Sequence, residues 1–350
     1  MQALILAGGK GTRLRPLTVY TPKPIVPLMN RPFLTYQIEI LARGGISDVT
    51  LSLNYQPNKI EEQIGDGSSL GASVRYVTEP APMGTAGAYR YAATADGGPT
   101  VVFNGDILTD VDISKVLEAH KKNGADATIV LVRVADPSRY GLVETDAHGR
   151  VLRFREKPSR EEIDQLGLDI INAGIYILEP SVLGLIAEGK NASFEYDTFP
   201  AILEKGMNFG AYVLDDDAYW RDIGNPKSYL EAHLDILAGK VRGIDPAPAN
   251  ADVATAAVVE GSLIGEGSVI KPGARISNSV LGPGVHIEEK AVVKDSVLWA
   301  YTRIASAAEL HGCVLGRGCH VGRSAMLGPG TVLGDKASIP DYSKMGVETA

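Results

Sequence analysis

The chain of 350 residues is poor in cysteine: it has two, Cys313 and Cys319, both late and both set among small residues. Two thiols make neither a disulfide framework nor a zinc site, and they fit buried, reduced side chains. No apolar run comes near the roughly 18 residues that a membrane span needs. Met1-Gln2 leads straight into a strand with no basic stretch or cleavage site before it. No leader is therefore expected, and the cytoplasm is the expected compartment. The net charge of −8 speaks against nucleic acid or an anionic membrane surface as the main partner. One more absence is local. No acidic residue stands before Glu39, whereas Lys10, Arg13, Arg15, Lys23 and Arg31 all do. A solvated basic face would intersperse acids among such cations, so this stretch points to a site for a highly charged anion.

That stretch begins with an apolar strand running into glycine, LILAGGKGTRLRPLT (Leu4–Thr18). Neither familiar nucleotide loop is present in it. A dinucleotide fingerprint would need glycine where Leu14 stands. A Walker A loop would need glycine in place of Leu4, and Ser or Thr in place of Gly11. What remains is a strand-to-helix turn whose backbone amides wrap an anion, with Arg13 and Lys23 able to neutralise it.

Strands and helices alternate through the first half. Residues 2–7, 48–53 and 99–106 read as strands, and 33–43 and 112–124 as helices, the second with Asp112 as cap and Gly124 as terminator. This predicts an α/β domain, a Rossmann-like mixed and mainly parallel sheet with helices on both faces. Ligands of such sheets gather at the carboxyl ends of the strands, where GGKGTR and NGD sit. Residues 140–222 are richer in strands and extend the sheet with substrate contacts. A helix then begins with Asn225 as cap and Pro226 in its first turn, and ends at Gly239. Residues 1–242 are thus one domain, and 243–257, rich in Ala, Pro and Asp, a linker.

Residues 258–350 follow a different period. Aliphatic side chains recur at Val258, Ile264, Ile270, Ile276, Leu281, Ile287 and Val293. They continue at Leu298, Ile304, Leu310, Leu315, Val321, Leu327, Leu333 and Ile339. Steps of six, shortened to five at three places, give a composite period of 17 from 264 to 315. Such hexapeptide repeats predict a left-handed parallel β-helix of about four to five coils, with stacked aliphatics along its axis.

Further motifs make the glycine loop specific. LAGGKGTRLRPLT is followed by PKPIVPL (22–28), EPAPMGTAGA (79–88), FNGDIL (103–108), FREKP (154–158), INAGIYIL (171–178) and WRDIGNPKSYL (220–230). In these motifs and their order the chain resembles the sugar nucleotidyltransferases, the nucleoside-diphosphate-sugar pyrophosphorylases, in which a hexapeptide β-helix tail is a known appendage. The resemblance covers essentially the whole first domain. It implies that a sugar 1-phosphate oxygen attacks the α-phosphorus of a nucleoside triphosphate and pyrophosphate leaves, a reaction that rests on positioning and charge neutralisation.

By the same resemblance, Ala7, Gly8, Gly9, Gly11 and Thr12 surround the triphosphate. Arg13 would hold the β and γ phosphates, and Lys23 the phosphates near the reaction centre. Asp106 and Asp222 are the implied ligands of a magnesium ion, which suits two carboxylates completed by phosphate oxygens and water. Gly84, Thr85 and Ala86 would line the base pocket through their backbone. Lys157 would hold the sugar phosphate, and Gly105, Gly141, Glu156 and Asn172 would face the sugar. The MGTAG and VFNGD blocks with the tail look most like the branch that joins GTP and mannose 1-phosphate into GDP-mannose. Thymidylyl or adenylyl transfer to glucose 1-phosphate is the nearest alternative.

Two readings of another class compete. Hexad β-helices also occur in acyltransferases, and His286, His311 and His320 would then serve as bases, but the tail is short and has no inserted loop for an acyl donor. Regulatory subunits similar to the family tend to lose the glycine loop, its arginine or the metal aspartates, all of which are present here. Self-association into a homo-oligomer, a dimer or tetramer, is the expected role of the tail.

Overall fold

The computed structural model describes residues 1–93, 97–156, 158–247 and 249–347, without the side chains of 164–166. Two compact units are present: Met1–Gly9 with Leu34–Trp220, and Lys10–Phe33 with Arg221–Ala350. This division differs from the sequence boundary at 242. The cationic segment 10–33 groups with the tail, and the unit boundary falls inside the glycine loop, between Gly9 and Lys10.

The first unit is built on a nine-stranded sheet. β1 (Gln2–Leu6), β2 (Asp48–Leu53), β3 (Ser73–Thr78) and β4 (Thr100–Asn104) lie in the order β4-β1-β2-β3, all parallel. β5 (Ala127–Arg133), β6 (Leu142–Thr145) and β4 all pair antiparallel with β8 (Ile170–Leu178). β7 (Val151–Arg155) pairs with β6, and β9 (Phe209–Val213) runs parallel beside β5. The sheet is mixed, as expected, with its parallel half on the side of the glycine loop.

Successive residues of the central strands are buried. Ala3, Leu4, Ile5, Val101, Val102 and Phe103 are each at most 1% exposed, so both faces of the sheet are covered. The helices of this unit are α1 (Leu34–Arg43), α2 (Pro57–Ile64), α3 (Gly84–Ala92), α4 (Ile113–Asn123), α5 (Arg160–Leu166) and α6 (Phe199–Glu204). α3 sets Ala86, Tyr89 and Ala92 against Leu4, Val102 and Ile129. On the opposite face α4 reaches Thr128, whose hydroxyl lies 2.8 Å from His120 Nδ1. The expected caps are in place: Asp112 accepts from Ser114 N at 3.0 Å, and Gly124 closes α4 in the left-handed region at φ 54°. α2 and α3 are not apparent in the sequence, because one is short and the other opens on two glycines.

In the second unit α7 (Pro226–Leu237) starts at Asn225, whose side chain accepts from Ser228 N at 3.0 Å. The tail is a parallel β-helix with three faces of six, six and five short strands. Ile270, Ile287, Ile304, Val321 and Ile339 stack in register on one of them. The expected aliphatics from Ile270 onward lie in one buried core, each contributing about 1.5–3 kcal/mol by leaving water. Two expectations are corrected at the start of the coil. Val258 is 45% exposed. Val259 packs inward instead, because it is the residue paired with Ile276. The coil also begins earlier than 258: Asp252–Val253, inside the expected linker, pairs with Val269–Ile270.

A polar ladder runs at the same period. Ser279 N donates to Ser262 Oγ at 3.0 Å, Ser296 N to Ser279 Oγ at 3.1 Å, and Cys313 N to Ser296 Oγ at 3.0 Å. Each of the upper three side chains in turn donates to the carbonyl two residues back, at Ser277, Lys294 and His311. Cys313 therefore occupies a hydroxyl position in the coil. Both cysteines are free and buried, and burial pushes each thiol up to about 11. Such thiols are inert.

Candidate active site

The residues expected to act on the anion fall in both units. In the first, β1 ends at Leu6 and Ala7 N donates to Ser52 O at 2.9 Å. Gly8 has no room for a side chain, since a Cβ there would lie 2.9 Å from Glu79 Oε1 and 3.3 Å from Asn54 Cβ. Gly9 is open, with nothing within 4 Å of the corresponding point. Glu79, the buried carboxylate that opens the motif of residues 79–88, accepts from Ser52 Oγ at 3.0 Å and from Met83 N at 3.2 Å. It thus braces both the glycine loop and the start of α3.

At that start Gly84 adopts φ +71°, and a Cβ would stand 2.4 Å from Ala192 O. Only glycine fits. Of the three residues expected to line a base pocket, Ala86 already donates its N–H to Ala192 O at 3.0 Å. The Thr85 hydroxyl is held between Glu195 Oε2 at 3.1 Å and Phe194 N at 2.9 Å. The Ala86 amide is therefore already engaged within this corner.

Asp106 stands half-buried on the turn after β4. Gly105 presses that turn onto the end of β1: its N–H donates to Leu6 O at 2.9 Å, and a Cβ would be 2.7 Å from the same carbonyl. From α1, Gln37 Nε2 bridges the turn, donating to Asn104 O at 2.9 Å and Ile107 O at 2.8 Å. Gln37 is 1% exposed. A polar residue on the apolar face formed by Leu34, Ile38 and Leu41 was the available sequence signal for it.

Of the residues expected at the sugar, Gly141, Glu156 and Asn172 meet near the bulge of β8, whereas Gly105 lies on the turn after β4. Asn172 N donates to Gly141 O at 2.9 Å. A Cβ on Gly141 would lie 2.8 Å from Glu156 Oε2. The Asn172 amide is engaged at both ends, donating to the Tyr176 hydroxyl and accepting from Gly174 N, each at 2.9 Å. Both ends of this amide thus shape the bulge. Burial holds the Tyr176 phenol protonated, well above its ordinary value. Two aromatics to which the motifs assign no role line this corner. Trp220 Nε1 donates to Ala173 O at 2.9 Å, and its ring meets Tyr140 edge-on at 5.4 Å. Lys157 lies outside the described residues.

In the second unit the loop does not open a long helix, contrary to the expected strand-to-helix turn. It makes one short 3-10 turn, Thr12–Leu14. Arg15 is extended ahead of Pro16, which stops the turn. Gly11, at φ +62°, lies against the stem of Lys23, where a Cβ would come within 2.7 Å of Lys23 Cβ. Thr18 Oγ1 donates to Gly11 O at 2.7 Å. Lys23 is 8% exposed, whereas Thr12 and Arg13 are exposed. Arg13 and Asp222 converge on Gly224: a Cβ there would lie 2.9 Å from Arg13 Nη2 and 2.7 Å from Asp222 Oδ1. Behind Asp222, Arg221 is tied to Glu231 at 2.6 Å and Asp235 at 2.7 Å on α7.

Among the described residues no group of three or more His, Cys, Asp or Glu is placed to hold a metal. Asp106 in one unit and Asp222 in the other are each hard oxygen donors of the kind that divalent ions take. The tail histidines are not gathered: His286 and His320 lie on one face of the coil and His311 on another. No helix among the described residues is long and apolar enough to cross a membrane.

Residues 2–239 match the family model described as Nucleotidyl transferase. Residues 249–345 match that of the EIF2B subunit epsilon LbH domain, a left-handed β-helix. The chain is 40% identical over 309 residues to the mannose-1-phosphate guanylyltransferase of Mycobacterium tuberculosis, covering 84% of this chain and 83% of that protein. It is 35% identical over 370 residues to mannose-1-phosphate guanylyltransferase 1 of Arabidopsis thaliana, covering 99% and 95%. The solved structure of HddC from Yersinia pseudotuberculosis superposes with a TM-score of 0.55 at 32% identity, over 66% of this chain and 97% of that one.

Proposed function

The chain belongs to the nucleotidyl transferase family, and from that premise we propose that it transfers GMP from GTP to mannose 1-phosphate, giving GDP-mannose and pyrophosphate. The observation that carries the reading is the set of crowded glycines, Gly8, Gly84 and Gly105, which bring bare backbone to the ends of β1 and β4 and to the start of α3. The named relatives support the guanine and mannose pair.

In this reading a phosphate oxygen of mannose 1-phosphate forms a bond to the α-phosphorus of GTP. The bond from that phosphorus to the bridging oxygen of the β-phosphate breaks, in line, and pyrophosphate carries that oxygen away. Gly8, Gly9, Gly11 and Thr12 cradle the triphosphate with backbone amides, and Ala7, whose own amide is spent on Ser52 O, ends the strand that leads into them. Arg13 neutralises the β and γ phosphates, and Lys23 those at the reaction centre. Asp106 and Asp222 would hold the family's divalent ion, for which magnesium fits the donor set, and the bound ion would neutralise charge on the phosphates. Lys157 holds the sugar phosphate, while Gly141, Glu156 and Asn172 orient the sugar, with Trp220 as a wall.

The protein is read as a cytoplasmic homo-oligomer associated through its β-helix. Light scattering tests this against the 37.1 kDa monomer, and a monomeric mass would exclude it. The chemistry is tested with the four nucleoside triphosphates against mannose and glucose 1-phosphates in the presence of magnesium. GTP with mannose 1-phosphate should react fastest; a faster thymidylyl or adenylyl transfer to glucose 1-phosphate would replace the reading.

A further inference from the structure

The segment that bears Arg13 and Lys23 is fastened to the β-helix along its length. A Cβ on Gly334 would lie 3.1 Å from Pro16 Cβ. Asn30 Nδ2 donates to Leu281 O at 2.9 Å. Between these, Trp299 Nε1–H donates to the Tyr229 hydroxyl oxygen at 3.0 Å, and that hydroxyl donates to the Pro27 carbonyl. The relay is dry: Tyr229 is 0% and Trp299 3% exposed. Their rings meet edge-on, with centroids 6.5 Å apart.

Tyr229 is thus the meeting point of three parts. It sits in α7, whose first turn follows Asp222 and is tied to it, since Ser228 Oγ donates to Asp222 O. Its hydroxyl fixes the backbone just beyond Lys23. Its oxygen is fixed in turn by a coil of the tail. Lys23 cannot compensate for a shift of this backbone, because its buried stem is wedged against Gly11. A displacement near Pro27 therefore moves the ammonium group itself.

We propose that Tyr229 and Trp299 are positioning residues for nucleotidyl transfer, through which the β-helix sets the place of the Lys23 loop for the triphosphate. The proposal rests on the reading of Lys23 as a triphosphate ligand. It gives the tail a part in the reaction that is separate from self-association.

The test uses full-length protein. Trp299→Phe keeps a ring and loses the donor; Tyr229→Phe keeps its ring and loses both bonds. At a temperature where circular dichroism matches wild type, each should raise KM for GTP about tenfold, the scale of one lost buried hydrogen bond. KM for mannose 1-phosphate should be unchanged, a split that general loosening would not give. In Trp220→Phe, which leaves Trp299 as the sole tryptophan, emission should shift on adding magnesium-GTP, and adding Tyr229→Phe should abolish the shift. If Tyr229→Phe fails to fold, Trp299→Phe decides. Wild-type KM for GTP, or an equal rise in both KM values, overturns the relay while the function stands. Wild-type protein that neither binds nor turns over GTP removes the underlying reading, and the relay with it.

Discussion

Gln37 and Asn104 are joined by a hydrogen bond of 2.9 Å from the Gln37 Nε2 to the Asn104 carbonyl, and the same nitrogen reaches Ile107 O at 2.8 Å. One buried amide on α1 thus fixes both sides of the turn that presents Asp106. On the proposed reading of Asp106 as a metal ligand, Gln37→Leu should lower kcat by about 10- to 100-fold, the scale of a lost support behind such a ligand. It should also raise the magnesium concentration needed for half-maximal rate. A magnesium titration of the variant checks both, and an unchanged titration would detach Gln37 from Asp106.

Neighbouring glycines of the loop should behave differently. Gly8→Ala and Gly105→Ala place a Cβ 2.9 Å from Glu79 Oε1 and 2.7 Å from Leu6 O, so each should cost about 1–3 kcal/mol of stability. Gly9→Ala meets nothing within 4 Å, so its melting temperature should stay near wild type while its affinity for GTP falls. Calorimetric melting and titration with GTP separate the two effects.

Arg13 and Asp222 converge on Gly224. Arg13→Ala and Asp222→Asn should each lower kcat by on the order of 10²-fold, the scale of a lost preorganised charge contact. Combined, they should cost less than the product of the two, because groups that act on one centre are not additive. Steady-state kinetics of the three variants measure the coupling.

His233 is fully buried in α7, with its Nδ1–H donating to Tyr229 O at 2.9 Å. Burial lowers its pKa from 6.5 to about 4. Below pH 6.5 the unfolded chain takes up this proton and the folded protein does not. The stability associated with neutral His233 is therefore full above about pH 6.5 and is lost as pH falls toward 4. This amounts to at most about 3 kcal/mol. Thermal melts from pH 7 to 4.5 should decline, and His233→Asn should flatten the decline.

Cys313 holds the rung of the ladder that Ser262, Ser279 and Ser296 hold in earlier coils. Cys313→Ser should melt near wild type, whereas Cys313→Val leaves the His311 carbonyl without its partner and should melt lower. Thiol titration of the native protein at pH 8 should be slow at both cysteines until denaturant is added, given thiols pushed up to about 11.

Much of the architecture was legible because it is periodic or capped. Repetition placed the aliphatics of the coil from Ile270 to Ile339, and Asp112, Gly124 and Asn225 marked helix ends. The start of the coil was misjudged at Val258, since a strand's register is set by its neighbour and Val259 is the residue opposite Ile276. α3 was hidden because its glycines serve close packing against Lys190 and Ala192, which local propensity cannot register. Of the candidate site, the motifs were visible, Glu79 and Trp220 among them, but what these two and Gln37 hold was not. Glu79 braces the Ser52 hydroxyl and Met83 N, and Gln37 and Trp220 hold backbone carbonyls distant in sequence.

The sequence by itself determined the chemistry on offer: a cationic, acid-free first segment, glycines at strand ends, two separated aspartates and a coil of hexads. These follow from residue type and spacing alone. Only the tertiary structure decided how those groups are held. It assigned segment 10–33 to the same compact unit as the tail, spent the Ala86 amide on Ala192, and ran a dry relay from Trp299 through Tyr229 to Pro27. Spacing along a chain fixes which side chains share a strand or helix face, whereas the partner of a buried amide or hydroxyl is fixed by which distant backbone arrives beside it.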